Sequence, residues 1–174
     1  MANKDRKKLS RGGTLHYREL QRRSIQSRIH RHLDIEFSLD PGAQLPFRKR
    51  ETDAGFDLFA LENVLLWPRK LIYLRTGTKM SCPPGYFYFI TGRSGLTRHG
   101  IICPLGTVDA CYTGEILVPL LNTNKNESFK ITQGDRIAQA IFLPILSPRF
   151  VQVENFTVHN KDHRGPQGFG SSGR

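Results

Sequence analysis

The sequence contains no apolar run approaching the ~18 residues of a membrane-spanning helix, so no helical membrane anchor is expected. Its first ten residues are polar and basic and lack the hydrophobic stretch of a secretory signal. Cysteine is scarce: Cys82, Cys103 and Cys111 form neither an even set nor a CxxC pair. They read as free thiols in a reducing compartment, which places the protein inside a cell, in cytoplasm or nucleus. No Asp-x-Asp pair supplies a ready-made metal cage, and His99, His159 and His163 stand apart as surface groups. No long apolar repeat of helical period occurs either, which excludes a helix bundle.

Charge is plentiful but unevenly placed. The net charge is +11, and residues 1–32 hold ten Lys/Arg against Asp5 and Glu19, a balance of +8. The remaining 16 Lys/Arg face 13 Asp/Glu, only +3, so the body of the chain is close to neutral. Residues 1–32 lack a convincing apolar stripe, since Ile25 and Ile29 alone cannot anchor a helix. They read as a flexible basic extension. Contact with nucleic acid or another polyanion is its functional alternative, and organelle targeting stays open.

From Leu33 the texture changes to short β-type runs divided by turn residues. Leu33–Phe37 alternates apolar and polar residues as a half-buried strand does. Further strands are expected at 71–74, 86–90, 115–118, 129–131, 141–143 and 150–153. Pro83-Pro84-Gly85, Tyr112-Thr113-Gly114 and Gln133-Gly134-Asp135 punctuate them. One short helix is expected near Leu61–Leu66 or Ser94–His99. Many short strands at regular turn spacing point to an all-β barrel or sandwich. Residues 33–163 make one such domain, and the glycine-rich segment 164–174 reads as a mobile arm.

Five segments rich in Gly, Asp, Arg and Ser interrupt the strands: DAGFDLFA (53–60), GRSGLT (92–97), GTVDACYTGEI (106–116), GDRIAQAIF (134–142) and RGPQGFGSSG (164–173). Each is weak alone. In this order and spacing they resemble the five motifs of the trimeric dUTP diphosphatase family, over about residues 33–173. The resemblance implies a jelly-roll-type β-barrel, a homotrimer with sites between subunits, and hydrolysis of dUTP to dUMP and pyrophosphate. That reaction limits uracil incorporation into DNA and supplies dUMP for thymidylate synthesis. Mg²⁺ is the implied cofactor, held through the triphosphate and waters rather than by direct protein ligands.

Attack of water on a phosphoanhydride needs a base, charge neutralisation and positioning. The resemblance makes Asp109 the general base, where the plainer reading is a turn-capping aspartate. Tyr112 would pack on the deoxyribose and leave no room for a 2′-hydroxyl. Gly106, Thr107, Val108 and Leu117 would line the uracil hairpin, which reads the base through backbone N–H and C=O groups. Arg93 and Ser94 would meet the triphosphate, with Gly95 and Gly92 permitting close approach of the backbone. Gln139 would hold the phosphate end, Asp57 would orient water around Mg²⁺, and Asp135 would support its turn and Arg136. From the arm, Arg164 would act as an arginine finger and Phe169 would stack on uracil. Gly170, Ser171 and Ser172 would wrap the phosphates.

Three positions depart from the family pattern. Cys111 replaces the second aspartate of an Asp-x-Asp-Tyr hairpin, Gln167 replaces an arm glycine, and Asp53 replaces a small residue. A dCTP deaminase shares the fold, but its chemistry needs a glutamate where Pro119 lies. A regulatory protein derived from the same fold would be signalled by loss of Asp109, Tyr112 or the arm, and all are present.

Overall fold

A computed structural model describes residues 33–155. The basic extension and the arm, with Arg164, Phe169, Gly170, Ser171 and Ser172, lie outside the described residues. Ten strands and one short helix follow in order: β1 (Glu36–Leu39), β2 (Phe56–Phe59), β3 (Val64–Leu66), β4 (Leu71–Ser81), β5 (Tyr86–Thr91), α1 (Ser94–Arg98), β6 (Ile101–Ile102), β7 (Gly106–Val108), β8 (Glu115–Asn122), β9 (Phe129–Ile131) and β10 (Arg136–Pro144). They form two four-stranded sheets, β1-β4-β8-β6 and β2-β10-β5-β7, with a β3-β9 ribbon. The strand pairs are antiparallel, the architecture of a jelly-roll barrel.

Alternation of side chains sets the inside of the barrel. In β8, Ile116, Val118 and Leu120 are buried while Leu117 is exposed. Opposite them, Leu74 is buried on β4 and Tyr73 lies outside. The core also takes Leu58 from β2, Leu66 from β3, Tyr88 and Ile90 from β5, and Ile137 and Ala140 from β10. Such burial is the main favourable term in folding. Its buried polar members are satisfied. Thr76 Oγ1 donates to Ile116 O at 2.7 Å, and Asn122 Nδ2 donates to Leu66 O at 3.0 Å and Glu127 O at 2.8 Å.

Three expectations change in detail. The first strand starts at Glu36 rather than Leu33. Of the two helix candidates, Ser94–Arg98 is helical, while Val64–Leu66 pairs with Phe129–Ile131 as a strand. The alternating segment 150–153 forms no strand, because no edge among the described residues is paired with it. Phe150 is 93% exposed and Val151 66%.

Candidate active site

Strand register builds the centre of the site. Gln139 lies opposite Asp57 on one side of β10 and opposite Thr91 on the other. One row across the sheet therefore joins the first and fourth motifs to the end of β5, from which Gly92 and Arg93 lead into α1. The Gln139 side chain uses that row: its Nε2 donates to Gly92 O at 3.1 Å. It passes so close to Gly55 that a Cβ there would collide with it. This contact explains why the first motif needs glycine at that place.

Asp57 ties two arginines to the row. Arg93 Nε donates to Asp57 Oδ1 at 2.8 Å, and Arg136 Nη1 reaches Asp57 Oδ2 at 3.4 Å. Arg93 Nη1 also donates to Arg136 O at 3.3 Å. The inner pair is shielded, with side-chain exposures of 26% for Arg93 and 17% for Asp57. Asp135 does not pair with Arg136. Its Oδ2 accepts from Thr132 N at 2.8 Å, closing the turn that delivers Arg136 to the start of β10. Ala60 N donates to Asp135 O at 2.9 Å and fixes that turn to the end of β2.

A cleft of ≈ 360 Å³ opens over this row, lined by Phe47, Lys49, Asp53, Ala54, Gly55, Asp57, Arg93, Ser94, Arg136 and Gln139. Phe47 is held by a two-bond bridge to the Asp57 backbone. Beyond it, Asp53 Oδ2 accepts from Arg50 N at 3.1 Å and closes a turn that sets Lys49 at the rim. Lys49, Phe47 and Asp53 were missed as site residues by the sequence reading. Arg48-Lys49-Arg50, a basic triplet just before the first motif, is the signal that could have found them. The cleft holds three cations, and both oxygens of its best-shielded carboxylate already face arginines. Chemically it suits a polyanion.

The third motif stands elsewhere. Gly106, Thr107 and Val108 pair with Ile90, Phe89 and Tyr88, so β7 runs back along β5. Asp109 is therefore level with Phe87, six residues short of Arg93 along the strand. At ~3.3 Å per residue, the two backbones lie about 20 Å apart in one chain. Asp109 is exposed, and its carboxylate has no hydrogen-bond partner among the described residues. Tyr112, 45% exposed, donates its hydroxyl proton to Glu115 O at 3.3 Å. Its ring leaves no space for a Cβ at Gly114. Leu117 is exposed on β8, opposite Arg75. The structure thus brings Asp57, Arg93, Ser94, Arg136 and Gln139 together, and keeps Asp109 and Tyr112 apart from them.

A jelly-roll barrel with a cationic cleft at the rim of one sheet has the frame of an enzyme that handles phosphates. The family model for dUTPase matches residues 42–173. The deoxyuridine 5′-triphosphate nucleotidohydrolase of Thermobifida fusca is 45% identical over 138 residues, covering 78% of this chain and 75% of that protein. That of Leifsonia xyli is 44% identical over 133 residues, covering 75% and 86%. Among solved structures, the Staphylococcus bacteriophage 80alpha dUTPase with dUpNHpp superposes with a TM-score of 0.73 at 31% identity, over 81% of this chain and 99% of that one. A variant dUTPase from phage phi11 of S. aureus, solved with a structural Mg(II) ion, gives a TM-score of 0.66 at 28% identity, over 72% and 99%. The chain belongs to the dUTPase family and is a dUTP-hydrolysing enzyme.

Proposed function

We infer that the enzyme hydrolyses dUTP to dUMP and pyrophosphate at a composite site, in which the cationic cleft of one chain faces the Asp109 hairpin of another. The carrying observation is the antiparallel register of β5 and β7, which sets Asp109 level with the start of β5 while Arg93 follows its end. At ~3.3 Å per residue they are too far apart for both to act on one phosphate. Arg93, Arg136 and Lys49 neutralise the triphosphate, while Ser94 and Gln139 fix its orientation by hydrogen bonds. Asp57 holds the arginines in place before substrate arrives, so little reorganisation remains for the reaction.

On the facing chain, Asp109 takes the proton from the attacking water. Tyr112 packs on the sugar where a 2′-hydroxyl would sit, and Gly106, Thr107, Val108 and Leu117 frame uracil. From the arm of a chain other than the one that gives Asp109, Arg164 reaches the leaving pyrophosphate, Phe169 covers the base, and Gly170, Ser171 and Ser172 close on the phosphates.

Mg²⁺ supplies charge neutralisation on the triphosphate. Among the described residues no three His, Cys, Asp or Glu side chains cluster to hold a metal, and both Asp57 oxygens face arginines. The donor set fits an ion carried by phosphate oxygens and water, with Asp57 accepting from that water shell through its remaining lone pairs.

Self-assembly as a trimer is supported by the outer face of the β4–β8 pair. Leu71, Tyr73, Leu117 and Ile102 are exposed there, on the side opposite the core. Segment 150–153 likewise presents apolar side chains that no other described residue covers. Exposed apolar surface of this kind marks protein interfaces.

Parallel assays of pyrophosphate release test the substrate assignment. dUTP is expected to be hydrolysed at least about tenfold faster than dCTP, dTTP or UTP at equal low concentration, since one pocket contact is worth ~1–3 kcal/mol. Equal rates for UTP and dUTP would remove Tyr112 from its place at the sugar. The basic extension, residues 1–32, carries none of the five motifs and reads in sequence as a flexible tail, with contact to a polyanion as its functional alternative. Its deletion should leave dUTP hydrolysis nearly unchanged and abolish the salt-dependent part of any nucleic-acid binding. Collapse of hydrolysis in that variant would instead put the extension in the site.

A further inference from the structure

Two of the three cysteines meet at the foot of the catalytic hairpin. Cys111 is exposed and takes the left-handed backbone conformation, φ 62°, at the corner between β7 and β8. Its amide donates to the carbonyl of Cys82 at 2.9 Å. Cys82 follows the last residue of β4 and is buried, with 1% of its surface exposed. That one bond limits how far apart the residues can stand. With N–Cα about 1.46 Å and a Cα about 2.4 Å from its own carbonyl oxygen, the two Cα atoms cannot be more than about 6.8 Å apart. Disulfides span Cα separations of about 4.4–6.8 Å, so no backbone movement is required by distance. The thiols also sense each other: burial raises the Cys82 pKa, and a Cys111 thiolate raises it further. Cys103 is a different case. It is buried, its pKa is pushed up to about 11 by desolvation, and its Sγ–H donates to Pro104 O at 3.5 Å.

We propose that Cys82 and Cys111 form a modification site for small-molecule disulfides of the glutathione type, which close the pair to an intramolecular disulfide and lower dUTP turnover. Exposure makes Cys111 the entry point. Its thiolate attacks one sulfur of the small disulfide, forms a mixed disulfide and expels one thiolate. Cys82 then loses its proton to solvent and attacks Cys111 Sγ. The protein S–S bond forms and the second small thiol leaves. In total the protein gives up two electrons and two protons, and the small disulfide becomes two thiols. Burial of Cys82 does not obstruct this sequence, because the second attack is internal and no reagent has to enter the core.

The effect on turnover rests on the assignment of Asp109 and Tyr112 above. Cys111 lies between them in the chain, and the new bond would clamp the corner of their hairpin to the buried end of β4. Displacing a reacting group by about 1 Å can cost about 10²-fold in rate. The aspartate that the family pattern carries at this position cannot take part in such a bond, so the property belongs to this chain.

The test uses the full chain, reduced and then incubated with glutathione disulfide. Digestion without reductant should yield a peptide linked through Cys82 and Cys111, with Cys103 still free. dUTP hydrolysis should fall by about tenfold or more, and return on addition of dithiothreitol. Cys111→Ser, a change at an exposed position that folding tolerates, should keep full activity through the same treatment, as should Cys82→Ala. Glutathione retained on Cys111 with no linked peptide would overturn the proposal, and so would a linked peptide with unchanged turnover. Inactivation of Cys111→Ser to the extent of wild type would place the effect at another residue. The linked peptide is read without dUTP. A chain that formed it but never hydrolysed dUTP would therefore refute the assignment of the reaction, not the reactivity of the pair.

Discussion

Replacing Asp109 by Asn is expected to reduce dUTP turnover by roughly 10²–10⁴-fold, the usual loss when a general base is removed. Substrate affinity should change little, because the cations proposed to hold the triphosphate are clamped by Asp57 and that clamp does not involve Asp109. The amide keeps the size of the carboxylate but cannot accept the proton of water. Single-turnover rates and equilibrium binding of a non-hydrolysable dUTP analogue separate the two effects. A variant that turns over near the wild-type rate would show that the base is another group. One that loses binding and rate equally would show that Asp109 holds the substrate instead.

The second large effect concerns the arm. A chain ending before Arg164 should lose roughly 10³-fold or more, since an arginine finger on a transferring phosphoryl group contributes 10³–10⁵. The same truncation allows a test of how sites are shared. Co-expression of truncated chains carrying Asp109 with full chains carrying Asp109→Asn gives mixed trimers. If base and arm of one site come from different chains, random assembly leaves about a quarter of the sites with both groups intact. If they come from one chain, each site lacks one of them. Recovery of about a quarter of wild-type activity is the expected result. Mixed trimers that form and remain inactive would show that base and arm of a site come from one chain.

The strands that sequence could show are those carried by an unbroken apolar run between turn residues. Leu71–Leu74 and Glu115–Val118 are of this kind. The rest of β4 was hidden because Arg75 to Lys79 look like turn residues, yet Thr76 and Thr78 are buried. Hydrogen bonds to Ile116 O and Gln44 O satisfy their hydroxyls, and no local pattern announces partners so distant in sequence. Val64–Leu66 is too short for periodicity to separate strand from helix. Segment 150–153 shows the opposite failure: its alternation is real, but it pairs with no strand among the described residues.

The site was legible as a set of residues and illegible as an arrangement. Motif order named Asp57, Arg93 and Gln139, but only the register of β2, β10 and β5 puts Asp57 and Gln139 in one row with Thr91, two residues before Arg93. Assigning Asp57 to water near Mg²⁺ overlooked Arg93 and Arg136, which come from 36 and 79 residues away to occupy its oxygens. Asp135 was expected to support its turn and Arg136; its carboxylate accepts from Thr132 N within that turn and makes no ion pair with the Arg136 side chain. Lys49 carries no motif; a turn closed by Asp53 brings it to the cleft.

The antiparallel course of β5 and β7 also bears on how output depends on amount. If, as proposed, that pairing keeps base and cleft apart within each chain, a folded monomer has no working site of its own. Activity is then a property of the associated fraction, and mass action governs it. On dilution through the dissociation range, turnover per chain falls faster than any spectroscopic signal of the barrel. An effector that loosened subunit contacts would silence the enzyme without touching a single residue that binds nucleotide.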